Sequence, residues 1–454
     1  MSLERSVDKL RREGAPQVAI DTFAHYCRQL AQGETGMLPE SEIEPLENVQ
    51  DAERLTEDAT PEVLDRAVMI RLNGGLGTSM GMTGPKSLLE VKEGLSFLDV
   101  IVRQVLALRE QSGARLPLVL MNSFATRETS LEALERYPQL KADVPLDFVQ
   151  GKVPKLRADD HTPVEWPGDP ALEWAPPGHG DLYTSLVTSG MLGELLERGY
   201  EYAFAANSDN LGAVLEPRIL AWFAREELPF AMEVADRTEA DRKGGHPARR
   251  RGGGLVLRET AQTPEDDLAA LQDTGRHRYF NVNTLWINLR ALEALLNERD
   301  GVLGLPMIVN EKTVDPSDPS SPAVLQLESA MGAAVGVFEG AAALRVPRSR
   351  FAPVKTTDDL LVLRSDAYEL GDGARVQLAA KALPFVELDP EHFKLLAGFD
   401  ARFPAGPPSL RACERLAVRG DVGFGRGVVV RGSVEIDHGG EGRLQIEDGA
   451  VLEG

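Results

Sequence analysis

The sequence predicts an α/β protein, built on a mixed, mostly parallel sheet flanked by helices and followed by a C-terminal β-helix. Two observations carry this prediction. Short apolar runs alternate with longer amphipathic stretches through the centre of the chain, and valines and phenylalanines recur every six residues near its end. The first pattern is that of buried parallel strands joined by helices. The second is the repeat of a β-helix made of hexapeptides.

Ile20, Phe23, Cys27 and Leu30 fall at three- and four-residue spacing, which predicts a helix over Val18 to Gln32. An acidic, proline-containing linker follows, so residues 1–60 are expected to form a helical segment and linker. Ala67 to Leu72, Leu116 to Met121 and Tyr202 to Ala206 are expected strands, and Leu98 to Leu108 and Gly190 to Arg198 expected helices, of a catalytic domain spanning 61–385. Arg237 to Gln272 is polar and charged, with Arg249, Arg250 and Arg251 leading into three glycines, and reads as a mobile hairpin. Beyond lies a linker and β-helix over 386–454, where Val418, Phe424, Val430 and Ile436 form one series and Val422, Val428 and Val434 another. A β-hairpin in chance register is the alternative. The tail carries no group that looks catalytic, so packing and subunit contact, including a homo-oligomer built through it, are its expected uses.

Composition narrows the chemistry. The 454 residues include 71 acidic and 49 basic side chains, a net charge of −22, which argues against a nucleic-acid or membrane-surface protein. An anionic substrate must therefore meet local cations. Two cysteines, Cys27 and Cys413, are too few for a disulfide framework or a cysteine zinc site. With no signal peptide and no apolar run of membrane-spanning length, a cytoplasmic location is expected.

The most informative stretch is Arg71 to Val91, RLNGGLGTSMGMTGPKSLLEV, which follows an apolar strand. Gly74, Gly75 and Gly77 are expected to take positive φ and bring backbone N–H groups close to a ligand, with phosphate the natural guest. Lys86, after Gly84 and Pro85, is placed to aim an ammonium into the same pocket. The P-loop pattern fails because Pro85 precedes the lysine. The dinucleotide pattern fails because Met80 stands where glycine is needed.

Taken whole, Arg71 to Val91 resembles the nucleotide-binding loop of the eukaryotic-type UDP-glucose pyrophosphorylases, the UTP–glucose-1-phosphate uridylyltransferases. Further blocks match in order: LMNSFAT from Leu120, FVQGKVPKL from Phe148, PPGHGDLY from Pro176, ANSDNLGA from Ala206, NVNTLWINL from Asn281, QLESAMGAA from Gln326 and VPRSRFAPVKTTDDLL from Val346. The terminal RGDVGFGRGVVVRGSVEI is similar to the family's C-terminal β-helix, and the resemblance spans roughly residues 60–454. It implies a Rossmann-like nucleotidyltransferase fold with a left-handed β-helix. Related enzymes acting on N-acetylhexosamine phosphates carry Arg where this loop has Ser79, which favours the glucose enzyme.

The resemblance implies roles residue by residue. Leu72 to Thr78, with Gly74, Gly75 and Gly77, would hold uridine and phosphates through backbone groups, and Lys86 would neutralise the triphosphate. Gln150 offers a donor and an acceptor to a uracil edge. Gly178 would let the base lie against the backbone, and His179 would approach phosphates or sugar. Asp209, after a strand's carboxyl end, would hold Mg²⁺, with Asn207 assisting. Lys243, Gly244 and Gly245 resemble a sugar-side segment; Asn281, Asn283 and Glu328 would bond glucose hydroxyls, and Thr284 replaces an expected asparagine. Lys355 is the second catalytic lysine.

The implied reaction is in-line attack by glucose-1-phosphate on the α-phosphate of UTP, with Lys86, Lys355 and Mg²⁺ offsetting the charge. Two alternatives stay open: the same chemistry on galactose-1-phosphate or an N-acetylhexosamine phosphate, and a non-catalytic nucleotide-binding scaffold. Retention of both lysines and Asp209 counts against the scaffold.

Overall fold

The computed structural model describes residues 2–56, 60–238, 241–242 and 244–454. At its centre is an eight-stranded sheet of β1 (Gln50–Asp51), β2 (Ala67–Asn73), β3 (Leu118–Asn122), β4 (Asp147–Val149), β5 (Tyr202–Asn207), β6 (Phe230–Asp236), β7 (Tyr279–Asn288) and β8 (Ala342–Arg345). Their spatial order is β1-β8-β6-β7-β5-β2-β3-β4. Only β7 runs against its neighbours, β5 and β6, so the sheet is mixed and mostly parallel.

Alternation along β2 explains the layering. Met69 packs into one apolar core, while Val68 and Ile70 point into a second on the opposite face. Both faces being covered, these strands read as continuous apolar runs rather than alternating ones. The expected helix over Leu98 to Leu108 is the middle of a longer one, Phe97–Ser112. It starts at a reciprocal cap between Ser96 and Asp99 and stops at Gly113 with φ 72°. The helix expected over Val18 to Gln32 runs from Gln17 to Ala31, buries Ile20, Phe23 and Cys27, and is preceded by another over Ser2–Arg12.

The N-terminal segment also supplies strands. β1 edges the central sheet beside β8, where Asp51 and Glu53 bind the Arg345 guanidinium. Ile43–Pro45 pairs with His246–Arg250, which pairs in turn with Leu255–Arg258. The hairpin expected within 237–272 is thus present and pinned by a third strand.

After residue 384 every named pairing is parallel. β9 (Phe385–Leu388), β10 (Ser409–Arg419), β12 (Val429–Asp437) and β14 (Val451–Glu453) lie side by side, and β11 (Val422–Phe424) pairs with β13 (Leu444–Ile446). Leu416 stands beside Val434 and Val418 beside Ile436, three six-residue steps apart. Val422 instead pairs with Leu444 and Val430 with Leu452, because the next coil is longer, so the second valine series does not stack on itself. Val418, Phe424 and Val430 belong to the same core as Met69 and Phe204. Among the described residues no helix is long and apolar enough to cross a membrane.

Candidate active site

A cleft of about 310 Å³ opens at the carboxyl ends of β2, β4 and β5, lined by Leu72, Gly74 and Gly75, by Gln150, and by Asn207, Ser208 and Asp209, with Lys86, Gly178 and His179 closing it. Ligands of open α/β sheets collect at this edge because the loops that leave parallel strands there converge.

The glycine turn is tighter than its composition suggested. Gly77 has φ 63°, but Gly74 and Gly75 do not take positive φ, which corrects the expectation for those two. They serve by lacking a side chain. A Cβ on Gly74 would lie 2.9 Å from the Gln150 amide oxygen, while one on Gly75 would meet nothing within 4 Å and would project into free space. Gly77 lets the chain fold past Met82 and the Lys86 side chain. The Lys86 N–H donates to the Gly75 carbonyl at 2.9 Å, so the Pro85 turn does bring the lysine back beneath the glycines. Thr78 is exposed, starts a 3₁₀ turn that buries Met80, and does not line the cleft.

Lys86 Nζ donates to Asp209 Oδ2 at 2.7 Å and also to the Val354 carbonyl. Lys355 Nζ, from a distant loop, donates to the same oxygen at 3.1 Å. Lys355 is held there by the helix Thr357–Arg364: the Asp359 carboxylate that caps it accepts the Lys355 N–H at 2.7 Å and the Thr356 N–H at 3.0 Å. Burial raises the Asp209 carboxyl, but the ammonium groups of Lys355 and Lys86 outweigh it and leave its pKa below the ordinary value. Asp209 Oδ1 is buried without a hydrogen-bond partner.

The loop bearing Asp209 hangs on Arg71, a fully buried side chain. Its guanidinium donates to the carbonyls of Asn207, Asn210 and Ala213, and burial lowers its pKa to about 9. A charged residue directly after the apolar run AVMI of the strand AVMIRLN is the signal in the sequence that it has a special task.

Gly178 has φ 79°, and a Cβ there would stand 2.5 Å from the Ser329 carbonyl. The neighbouring loop is stitched to the same residue: Gly180 N–H donates to Ser329 O at 2.8 Å, and Ser329 N–H to Pro177 O at 3.0 Å. His179 Nδ1 accepts the Met331 N–H at 2.9 Å, which places its proton on Nε2. Burial, with help from Lys355, lowers its pKa to about 4. His179 is neutral at ordinary pH, a hydrogen-bond donor and not a cation.

Of the expected sugar-side residues, Gly245, Asn281 and Asn283 form a separate group. The Asn281 N–H donates to Gly245 O at 3.0 Å, and the Asn281 and Asn283 side chains bond each other at 2.8 Å, with Asn283 at φ 54°. A Cβ on Gly245 would meet the Glu259 carboxylate at 2.3 Å. Thr284 is buried, its hydroxyl without a partner. Glu328 adjoins Gly178, and burial raises its pKa. None of Gly245, Asn281, Asn283 and Glu328 lines the cleft itself. Lys243 lies outside the described residues. Asn73, within the span Leu72 to Thr78, lines the cleft as well, and so do three residues with no expected role: Ser87 beside Lys86, Ser208 between Asn207 and Asp209, and Pro176, two residues before Gly178.

Among the described residues no three His, Cys, Asp or Glu side chains cluster so as to cage a metal. One carboxylate with an unpartnered buried oxygen still suits a hard cation that takes its other ligands from phosphate and water.

Comparison with known proteins gives a consistent placement. A family model described as UTP–glucose-1-phosphate uridylyltransferase matches residues 20–431. The uridylyltransferase of Hordeum vulgare is 43% identical over 400 residues, covering 87% of this chain and 82% of the relative. That of Solanum tuberosum is 43% identical over 405 residues, covering 88% and 83%. A crystal structure of a UDP-glucose pyrophosphorylase variant from Leishmania major in complex with UDP-glucose superposes with a TM-score of 0.95 at 44% identity, covering all of this chain and 98% of that one. A crystal structure of a UDP-glucose phosphorylase from Trypanosoma brucei gives 0.92 at 44% identity, with 100% and 98% coverage. The cleft therefore sits in a chain that belongs to the UTP–glucose-1-phosphate uridylyltransferase family.

Proposed function

We propose that the protein joins UTP to glucose-1-phosphate, forming UDP-glucose and releasing pyrophosphate. The observation that carries this is the meeting of Lys86 and Lys355 on one oxygen of Asp209, at the edge of a cleft walled by the Gly74–Gly75 backbone. Two ammonium groups against one carboxylate leave an excess positive charge facing a cavity where backbone can approach closely, and a polyphosphate matches that field.

The sugar phosphate is already ionised, so its oxygen attacks the α-phosphorus in line without a general base, and pyrophosphate leaves. What the protein supplies is position and charge. Lys86 and Lys355 offset the repulsion between the two polyanions. Neutral His179 donates from Nε2 to a phosphate or sugar oxygen. Gln150, packed against Gly74, presents its amide to the uracil edge, and Gly178 lets the base lie on backbone. Asn281, Asn283, Gly245 and Glu328 are assigned to the sugar side, with Asn207 helping to position. Asp209, through Oδ1, is the residue that would hold Mg²⁺, which when bound neutralises phosphate charge.

We assign the C-terminal parallel strands, residues 386–454, to a left-handed β-helix whose open edge at β14 contacts a second copy of the chain. The parallel pairing and the exposed Val451 support this, and light scattering at increasing concentration tests it. A cytoplasmic location agrees with the two free, buried cysteines.

The function is tested by incubating the purified protein with UTP, Mg²⁺ and glucose-1-phosphate and measuring pyrophosphate, with other nucleoside triphosphates, galactose-1-phosphate and N-acetylhexosamine phosphates in parallel. Release confined to UTP with glucose-1-phosphate is expected. Equal release with every sugar phosphate would contradict the assignment of glucose.

A further inference from the structure

Two loops of the cleft, one bearing Gln150 and the other His179, are joined by a carboxylate that lines neither. Asp181 is the first residue of the helix Asp181–Thr188 and is 7% exposed. Its Oδ2 accepts the Gly151 N–H at 2.6 Å and the Ser185 hydroxyl at 2.5 Å. Gly151 directly follows Gln150, whose own N–H donates to Asn122 O at 2.8 Å at the end of β3. On the other side, the turn that starts the helix closes on the preceding loop: Asp181 N–H donates to Gly178 O at 3.2 Å and Leu182 N–H to His179 O at 3.3 Å. Asp181 thus fixes the residue after Gln150 relative to the residues on which the base would lie.

Among the described residues the groups that act on this carboxylate are the Ser185 hydroxyl and the Gly151 N–H, and no lysine or arginine is among them. A buried carboxylate without a counter-ion costs stability, and packing alone would be served as well by an apolar side chain. Burial, opposed by the Ser185 and Gly151 hydrogen bonds, raises its pKa to about 6, so at neutral pH the group is chiefly the acceptor that Gly151 requires. The contact is close: a Cβ on Gly151 would lie 3.3 Å from Asp181 Oδ2.

We infer that Asp181 is a positioning residue for nucleobase selection, setting the distance between the Gln150 amide and the Gly178 backbone between which the base is read. The inference rests on the role proposed for Gln150. The Gln150 amide distinguishes uracil from cytosine at the edge where a carbonyl is replaced by an amino group. A shift of the loop weakens that distinction before it touches the phosphate chemistry, because Lys86, Lys355 and Asp209 are held by other elements.

The test compares wild type, Asp181→Ala, Asp181→Asn, Gly151→Ala and Gln150→Ala with UTP and CTP as substrates. For Asp181→Ala the KM for UTP is expected to rise about tenfold and the UTP-over-CTP preference in kcat/KM to fall by about the same factor, the size of one lost hydrogen bond. The KM for glucose-1-phosphate should stay within about threefold. Asp181→Asn should restore most of the preference, because its amide oxygen still accepts the Gly151 N–H. Gly151→Ala pushes the same contact apart from the opposite side while leaving the helix intact, and gives the same readout if Asp181→Ala does not fold. An unchanged UTP-over-CTP ratio in Asp181→Ala or Gly151→Ala, with Gln150→Ala losing it, overturns this inference and spares the proposed function. An unchanged ratio in Gln150→Ala removes the base-reading role and this inference with it.

Discussion

Lys86 and Lys355 donate to the same oxygen, Oδ2 of Asp209, at 2.7 and 3.1 Å, although they lie far apart in the sequence. They do so from different environments. The Lys86 side chain is 17% exposed and also holds the Val354 carbonyl, whereas that of Lys355 is 59% exposed. Truncating Lys86 leaves a buried carbonyl unpaired, whereas truncating Lys355 removes an exposed ammonium and leaves Asp209 still paired with Lys86. Lys86→Ala is therefore expected to lower stability by about 1–3 kcal/mol, and Lys355→Ala by less than about 1 kcal/mol. Urea denaturation of both variants checks this, and the reverse order would contradict it.

Gly75 and Gly178 separate a ligand constraint from a folding constraint. Gly75 has no neighbour within 4 Å of a built Cβ and does not take positive φ, so Gly75→Ala should melt with wild type while its KM for UTP rises about tenfold through intrusion into the cleft. Gly178 stands at φ 79° with the Ser329 carbonyl 2.5 Å from a built Cβ. Gly178→Ala should lose about 1–3 kcal/mol of stability or more. Thermal melts with and without UTP distinguish the two.

His179 is expected not to titrate near neutrality, because its pKa is lowered to about 4 from the ordinary 6.5. The unfolded chain therefore binds a proton at this residue between about pH 4 and 6.5 that the folded chain does not, and the stability contribution of His179 falls as pH drops through that window and is constant above it. An NMR titration of the His179 ring should show no midpoint between pH 5 and 8. A midpoint above pH 6 would show that the ring is accessible as a cation.

Asp209 has one oxygen engaged by both lysines and one without a partner. If that free oxygen holds Mg²⁺, Asp209→Asn should raise the Mg²⁺ concentration for half-maximal rate by about tenfold or more. Isothermal titration of Mg²⁺ into the UTP complex reads the same loss without turnover. Unaltered Mg²⁺ affinity would assign the cation elsewhere.

Much of this was legible in the chain, and the reasons differ by element. Ala67–Asn73 and Tyr202–Asn207 stood out because burial on both faces leaves continuous apolar runs. Lys86 and Lys355 stood out through their motifs, and Pro85 foretold the turn. Positive φ is not what Gly74 and Gly75 provide: a Cβ on Gly74 would crowd Gln150, distant in sequence, and one on Gly75 would meet nothing within 4 Å, and neither condition is written in the local sequence. Two-residue strands such as Gln50–Asp51 carry too few residues for a period, and their place is set by Arg345 across the sheet edge. The role of Asp181 is not legible in GHGD because its partner, the Gly151 N–H, is a backbone group that no side chain marks in the sequence.

The most direct measurement is kcat/KM for UTP and glucose-1-phosphate in Lys86→Ala, Lys355→Ala and the double variant. Each single change is expected to cost about 10²–10³, and the double variant less than the product, because the two ammonium groups share Asp209 Oδ2 and so are coupled. Near-wild-type turnover in either single variant would contradict the convergence of the two lysines on the reacting phosphates.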